Sequence, residues 1–505
     1  MNRSFQRKVT YLALIAALLV PLAYVSRPAT TGSDSHAGSA GGKLAQLREE
    51  YKLGQAQLGR IDPTSSALRY VSLGMHGLAS CILWNKADEY QKQEDWISLS
   101  AVLGQLTYLQ PYYVRVWTYQ SWNVSYNISS QWDDYRDKYF WITRGFKLLH
   151  QGMEFNELEP QLPYEMGWMV GHKIGQADEK KDFRRLFARD DEFHRQPWTR
   201  WIEERDNWLF GKRFLVLGQE MVDNRGAVLR SIGTEMFNLQ PAIQQSLYGQ
   251  AKEQEGTFGD VAKQAWKQAH ADWVKFGERE LPSDYGFSIR YNDLDSLKQR
   301  LEEAEAKLNP LVDGVRETIR AERRAAMTPE ALRAFDASPD SRTAPEQRAA
   351  AQVEAALIVR DVDAAERIEP AKRDEARRLA AETTLLRERV NATTRSRQTF
   401  NYDYWLARSE MEATDEALAA RELFYRGLNE ADDKPWAARK TFEEGFALWR
   451  KILDRYPLMI DDQTSYDIYD MIKAYRRVLN QLDVPFDKAK FTLRDLLEKY
   501  EQTME

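Results

Sequence analysis

Residues 109–136 read LQPYYVRVWTYQSWNVSYNISSQWDDYR and form the centre of an aromatic stretch that runs from Leu83 to Gly175. The stretch is interrupted by Pro111, Pro160 and Pro163, and its tryptophans are Trp84, Trp96, Trp117, Trp122, Trp132, Trp141 and Trp168. A proline favours a helix boundary because it has no backbone N–H to donate. The pattern therefore predicts a series of helix–turn–helix units with aromatic side chains packed between the helices.

The aromatic side chains of this stretch support two interpretations. A tryptophan buries on the order of 200 Å², so in stacked helix pairs the rings would fill a shared core. Alternatively, the rings line a groove that binds a peptide or a glycan. Asn123 and Asn127 each begin an Asn-x-Ser sequon, and we interpret them as hydrogen-bonding helix residues rather than glycosylation sites.

Composition excludes some classes of protein. The chain has 505 residues, of which 43% are hydrophobic and 29% charged, as in a globular protein with a substantial core. Its net charge of -6 argues against a general nucleic-acid binder, which needs a basic face. The single cysteine, Cys81, excludes an intramolecular disulfide. Because Cys81 lies in an apolar run, we expect it to be a small buried residue.

The N-terminus carries the pattern of a membrane anchor. Arg3, Arg7 and Lys8 precede an apolar run from Val9 to Val25, which has about the length needed to cross a bilayer. Residues 24–28 lack the small side chains of a signal-peptidase site, so we favour an uncleaved signal anchor over residues 1–26 to a cleaved signal peptide. The basic flank places the N-terminus in the cytoplasm and the body in the periplasm of a bacterial inner membrane.

Composition divides the rest of the chain into residues 27–43, 44–290, 291–395 and 396–505. Residues 27–43 are rich in Gly and Ser, which predicts a flexible linker. Residues 44–290 form the aromatic-rich helical body, in which the spacing predicts a helix from Trp96 to Leu109 and an irregular, partly loop-like connection from Phe214 to Gln254. Residues 396–505 form a C-terminal helical domain. The expected fold is all-α.

Residues 291–395 are dominated by Ala, Glu and Arg. Two parts of this segment show the alternating three- and four-residue spacing of a heptad seam, at Leu294, Leu297, Leu301, Ala304 and Leu308, and at Ala376, Leu379, Thr383, Leu386 and Val390. We expect them to pair as an antiparallel, coiled-coil-like hairpin that forms an arm. The alternative is two amphipathic helices packed back on the body.

Several helix pairs resemble tetratricopeptide repeats, in which two antiparallel helices cross at small residues and a proline follows the second helix. The resemblance lies at Ala87, Tyr90, Leu103, Leu106 and Pro111, at Met166, Gly167 and Val170, and at Gly445, Trp449, Ile452 and Pro457. No copy has the whole consensus. The resemblance implies a degenerate α-solenoid of tetratricopeptide-like repeats over about half the chain.

A second resemblance is to a family of membrane-anchored, tetratricopeptide-like proteins from planctomycete-type bacteria. It lies at 109–111, 116–117, 120–123, 126–129, 132–136, 166–168, 172–175 and 273–277. This resemblance implies a class and a location, and it implies no activity.

The sequence contains no Gly-rich phosphate loop, nucleophile elbow, His-Glu-x-x-His or paired-cysteine motif. We therefore predict no catalytic residue, no cofactor and no enzymatic activity. The best metal-binding candidates are His172, Asp190 and His194, because Asp190 and His194 share a helix face and would hold a metal if His172 folds over them. The alternative for these side chains is a solvated or capping role.

The expected function is a membrane-anchored scaffold that binds a protein of the cell envelope through a concave repeat surface or the arm. An alternative is a glycan-binding protein or hydrolase of the cell envelope that uses an aromatic groove. A third is a structural spacer. None of these involves nucleic acid.

Overall fold

The computed structural model describes residues 76–283, 285–460 and 463–503, together with isolated positions 17, 21, 43 and 46. Apart from position 43, the predicted linker lies outside the described residues, as does the predicted signal anchor apart from positions 17 and 21. In the part of the chain that is described, no helix is both long and apolar enough to cross a membrane.

The chain divides into two compact units, residues 1–257 and residues 258–505. The described residues are almost wholly helical, which confirms the all-α prediction, and their packed helices are compatible with a helical-repeat fold. The division lies ahead of position 290, where the composition changes. The boundary falls before residue 258 because the helix Asp260–Gly277 packs against the helix Tyr402–Glu412 and therefore belongs to the second unit.

The first unit is built from helices joined by short turns. They are α1 (His76–Lys92), α2 (Trp96–Leu109), α3 (Val114–Trp122), α4 (Tyr135–Phe155), α5 (Gln161–Gly175), α6 (Lys180–Arg189), α7 (Asp191–His194), α8 (Asn207–Arg225) and α9 (Thr234–Gln254). Aspartates cap several N-termini: Asp95, Asp134 and Asp206 each accept a backbone N–H from the first turn of α2, α4 and α8. These N-caps define the residue at which each of the three helices begins.

The main core of the first unit lies between α4, α5, α6 and α8. Its fully buried members include Phe146, Met166, Phe187 and Phe210. A smaller core joins α1 to α2 and α3 through Leu83, Ala87, Leu99, Leu103, Leu106 and Val116. Each helix buries one face against its neighbours, so most of the stability comes from shared apolar surface.

The irregular connection predicted from Phe214 to Gln254 is wrong for most of this range, because only residues 226–233 are non-helical. Residues up to Arg225 continue α8, and α9 runs from Thr234 to Gln254 with Pro241 inside it. Gly226 ends α8 with a φ of 68°, a left-handed conformation that glycine adopts without strain. Pro241 is tolerated because α9 is buried over much of its circumference, and this packing outweighs the lost hydrogen bond.

The expectation that Cys81 is buried is also wrong. Cys81 is exposed on α1, whereas its neighbours Ala79, Leu83 and Ala87 are buried. The apolar run therefore has one buried face, and Cys81 lies outside that face.

The second unit begins with α10 (Asp260–Gly277) and a two-residue antiparallel pair, β1 (Leu281–Pro282) and β2 (Ser288–Ile289), in which Leu281 faces Ile289. There follow α11 (Leu294–Ala325), α12 (Pro329–Asp336), α13 (Ala344–Leu357), α14 (Asp361–Glu366) and α15 (Pro370–Thr399). The unit closes with α16 (Tyr402–Glu412), α17 (Asp415–Glu430), α18 (Pro435–Arg455), α19 (Gln463–Gln481) and α20 (Arg494–Thr503).

Helices α11 and α15 pack against each other along their length. Leu297 and Ala304, early in α11, are buried with Leu386, which lies late in α15. Farther along α11, Leu308 is buried with Leu379, which lies earlier in α15. The two helices are therefore antiparallel, and these buried positions belong to the heptad seams seen in the sequence.

Candidate binding groove

The helix that begins as α3 continues through a π-helical segment, Asn123–Ile128. Polar side chains accompany this wider turn. Ser121 donates to the Gly145 carbonyl at 2.7 Å, and the Asn127 amide donates to the buried Asn123 side-chain oxygen at 2.9 Å. Segments of π-helix are rare and are frequent at functional sites. Both asparagines of the sequons thus make hydrogen bonds inside the helix.

Three rings lie on one face of the helix that runs from α3 into the π-helical segment. Tyr119 stacks on Trp122 with ring centroids 6.4 Å apart, and Trp122 stacks on Tyr126 at 5.7 Å, both with interplanar angles of 16°. Tyr126 lies 6.2 Å from the ring of His172, which stacks on Trp168 at 4.6 Å. The result is a continuous row of rings from α3 to α5.

Two rings of this row, Tyr119 and Trp122, border a cavity of about 550 Å³, here called the aromatic groove. Its lining comes from α1, from α3 and the residue before it, and from α5: Trp84, Ala87, Asp88, Gln91, Tyr113, Arg115, Thr118, Tyr119, Trp122 and Glu165. Trp122 is 42% exposed and Tyr113 44% exposed, so these rings are accessible to solvent. Binding sites are typically concave and largely apolar, with a few polar groups that fix orientation.

The two acidic residues of the groove differ in their surroundings. Asp88 forms an ion pair with Lys92 at 2.6 Å, and both side chains are exposed. Glu165 is half-buried, and no ion pair to it is present among the described residues. Burial raises the pKa of Glu165, and a hydrogen bond with the Gln161 side chain opposes this shift. Glu165 is therefore a poorly solvated carboxylate without a counter-ion.

The tyrosine hydroxyls beside the groove are also poorly solvated. The hydroxyl of Tyr119 is buried and has no hydrogen-bond partner among the described residues. Burial raises its pKa, and the negative charge of Asp88 raises it further. Burial likewise raises the pKa of Tyr126, and Glu165 adds to that shift. Both hydroxyls are therefore neutral at physiological pH.

The metal candidates of the sequence have other partners. The Nδ1 atom of His172 lies 3.1 Å from the Tyr126 hydroxyl. Asp190 caps α7 by accepting the Phe193 N–H and also accepts the Tyr139 hydroxyl at 2.9 Å. The Nε2 atom of His194 lies 2.7 Å from the Phe187 carbonyl oxygen. Within the described ranges, no three His, Cys, Asp or Glu side chains are grouped so that they would hold a metal.

Sequence reasoning selected Trp122 as part of the aromatic stretch but missed Glu165, Asp88 and Arg115. A signal for Glu165 was present in α5, where Gln161, Glu165, Trp168 and His172 recur at helical spacing and are all half-buried. Polar and aromatic side chains on one incompletely buried helix face are typical of a groove wall. No such signal linked α5 to α1, which lies about 75 residues earlier in the sequence.

No protein-family model, curated protein or solved structure matches this chain. Its function is therefore inferred from the chemistry of the groove.

Proposed function

We propose that this chain is a membrane-anchored, extracytoplasmic scaffold that binds another protein in its aromatic groove. The observation that carries the proposal is the row of stacked rings beside a cavity of about 550 Å³, with Trp122 42% exposed. Trp, Tyr and Arg are the residues most enriched at the energetic centres of protein interfaces. The groove lining offers all three.

The polar side chains of the groove suit an extended polypeptide. Gln91, Arg115 and Thr118 line the groove and present amide, guanidinium and hydroxyl groups. Such groups pair with the carbonyls and N–H groups of a bound peptide, while the ring faces cover its side chains. Helical-repeat proteins commonly present a surface of this kind to a partner.

The proposed membrane anchor, its orientation and the type of repeat are inferred from the sequence. The apolar run Val9–Val25 after Arg3, Arg7 and Lys8 supports an anchor with the body in the periplasm of a bacterial inner membrane. The short helix–turn–helix connections support degenerate tetratricopeptide-like repeats, and the segments between 109 and 136 support a relationship to planctomycete-type membrane proteins. Protease accessibility in spheroplasts tests the orientation.

A second candidate function is binding or hydrolysis of a cell-envelope glycan. The observation that favours it is the combination of stacked rings with two carboxylates, Asp88 and Glu165, in one lining. Sugar rings pack on aromatic faces, and paired carboxylates cleave glycosidic bonds. Hydrolysis would require both carboxylates to reach one bond, whereas binding would need the rings alone.

The test is cross-linking and affinity isolation of the full-length chain from the membranes of cells that make it. Trp122→Ala removes the exposed ring of the groove, and Trp436→Ala removes a ring that is 64% exposed in the second unit. We expect one stoichiometric protein that is lost with Trp122→Ala and kept with Trp436→Ala. Equal recovery with both variants would contradict the proposal. Binding of envelope polysaccharide that is lost with Trp122→Ala would favour the second candidate.

A further inference from the structure

We propose that the aromatic groove holds a cationic side chain, an arginine or lysine of an extended partner segment, with Glu165 as its counter-ion. This inference rests on the proposed function, because it specifies the chemistry of the protein bound in the groove.

The first argument is the unbalanced charge of Glu165. Two other half-buried carboxylates of the first unit have cations: Glu179 pairs with Lys138, and Asp206 pairs with Arg184 at 2.8 Å. A third, Asp190, is instead bound by the Tyr139 hydroxyl and the Phe193 N–H. Glu165 has a side-chain hydrogen bond with Gln161 and no cation among the described residues. A carboxylate removed from water is costly unless it is paired. A cation delivered by a ligand would supply the missing partner.

The second argument is the row of ring faces beside this carboxylate. Cations bind over the faces of Trp and Tyr, and the attraction grows when water is excluded. The unit already contains one such contact, since the Lys173 ammonium lies 4.6 Å from the Tyr126 ring centroid. Trp122 and Tyr119 have no cation over their rings among the described residues. Trp122 is 42% exposed, so the part of its ring that Tyr119 and Tyr126 leave uncovered is available to a ligand.

The third argument excludes other peptide chemistries. Glu165 opposes an acidic segment, because like charges repel in a partly desolvated site. Asp88 adds little to this repulsion because it is paired with Lys92, and Arg115 in the same lining forms no ion pair with Glu165 among the described residues. A wholly apolar segment would cover Glu165 without pairing it. Arginine fits best, because its planar guanidinium stacks on rings and donates two parallel hydrogen bonds to a carboxylate. Lysine satisfies the charge but stacks less well.

The experiment measures binding of labelled hexapeptides to the full-length protein in detergent by fluorescence anisotropy. The probe is Gly-Arg-Gly-Arg-Gly-Arg, and its control replaces each arginine by citrulline, a planar neutral isostere. We expect the arginine peptide to bind at least tenfold more tightly than the citrulline peptide. Equal binding of the two peptides would overturn the inference.

Three variants test whether the arginine peptide binds in the aromatic groove. Glu165→Gln removes the proposed counter-ion with little change in shape, and Glu220→Gln removes an equal charge from an exposed position of α8. Thr118→Lys places a cation in the groove lining. We expect the preference for arginine to disappear with Glu165→Gln and Thr118→Lys and to persist with Glu220→Gln. Equal loss with both glutamine variants would show general attraction to an acidic protein and would overturn the inference.

The chain's own residues 44–75, which include Lys52 and Arg60, are a competing occupant. A carbodiimide cross-link between Glu165 and Lys52 of the same chain, formed without peptide, would overturn the assignment to a partner. Failure of the inference is distinguishable from failure of the proposed function. If the arginine peptide does not bind but Trp122→Ala still abolishes partner capture, the groove binds a protein of different chemistry.

Discussion

Gly167 of α5 and Gly211 of α8 meet where the two helices cross. A Cβ atom added to Gly167 would lie 2.5 Å from the Gly211 carbonyl oxygen, and one added to Gly211 would lie 2.6 Å from that of Gly167. The two backbones therefore approach too closely for a Cβ atom at either position, which only glycine avoids. This crossing holds α5 in place, and α5 supplies Glu165 to the groove.

Replacement of Gly167 by alanine is expected to destabilise the first unit by about 1–3 kcal/mol, the usual cost of overpacking. The new methyl group would also lie 2.6 Å from Leu215 Cγ, so both backbone and side chain must shift. Gly104 in α2 is the control, because its added Cβ meets no atom within 4 Å. Gly104→Ala should stabilise the helix by roughly 0.5–1 kcal/mol. Urea unfolding measures the free energy of unfolding of both variants. Equal stability of the two would contradict the close crossing of α5 and α8.

Trp117 and Trp122 lie on the same helix but have opposite roles. Trp117 is 2% exposed and donates to the Pro111 carbonyl at 2.8 Å, whereas Trp122 is 42% exposed. Trp117→Ala is therefore expected to cost about 3–5 kcal/mol of stability, and Trp122→Ala less than about 1 kcal/mol. Thermal unfolding checks this difference. A large loss of stability with Trp122→Ala would mean that this ring belongs to the core.

His150 makes the first unit sensitive to acid. Its ring stacks on Trp198 at 4.8 Å, and burial lowers its pKa to about 4. Glu154 lies 3.9 Å from Nδ1 but is 61% exposed, so it does not offset the burial. The unfolded state takes up a proton near pH 6.5 and the folded state only near pH 4. Stability is therefore fully present above pH 6.5 and falls as the pH is lowered toward 4.

His150→Phe keeps an aromatic ring against Trp198 and removes the titrating group. Urea unfolding between pH 7 and pH 4.5 should show a loss of stability on the order of 1 kcal/mol that is present in the wild type and missing in the variant. Other histidines contribute equally to both proteins, so the difference isolates His150. Parallel pH profiles would contradict the assigned shift.

The second unit contains a buried ionic cluster around Arg408 and Glu412, whose side chains are 1% and 0% exposed. Arg421 donates to Glu412, and the Arg408 guanidinium lies 5.5 Å from the Trp405 ring centroid. Glu412→Gln would remove the buried carboxylate that Arg408 and Arg421 share and would leave Asp467, 4.0 Å from Arg408, to pair with both, at a cost of about 3–5 kcal/mol. The control is Glu444→Gln, which breaks an exposed pair with Lys440 and should cost less than about 1 kcal/mol. Similar unfolding midpoints for the two variants would contradict this account of the cluster.

Much of the helical architecture was predictable because its signals are local. The spacing from Trp96 to Leu109 predicts a helix with the bounds of α2, and the heptad positions Leu297 and Leu386 are buried between α11 and α15. The segment containing Pro241 was misjudged because proline weakens a helix locally, whereas burial of α9 on several sides stabilises it.

The groove itself was not predictable from the sequence. Trp117 and Trp122 are five residues apart in one aromatic stretch, and only the packing of α4 decides which is covered. Glu165 resembles any glutamate on a helix surface until α1 and α3 are placed beside it. A site that forms where three helices converge leaves no compact motif in the sequence.

The most direct test of the central claim is a photo-cross-linking residue placed at Thr118 in the lining of the groove, in the full-length chain within its native membranes. The control carries the same residue at Glu220. We predict one discrete cross-linked protein from position 118, lost when Trp122→Ala is added and missing from position 220. Cross-links that join position 118 only to residues 44–75 of the same chain, or equal yields from both positions, would contradict a partner-binding groove.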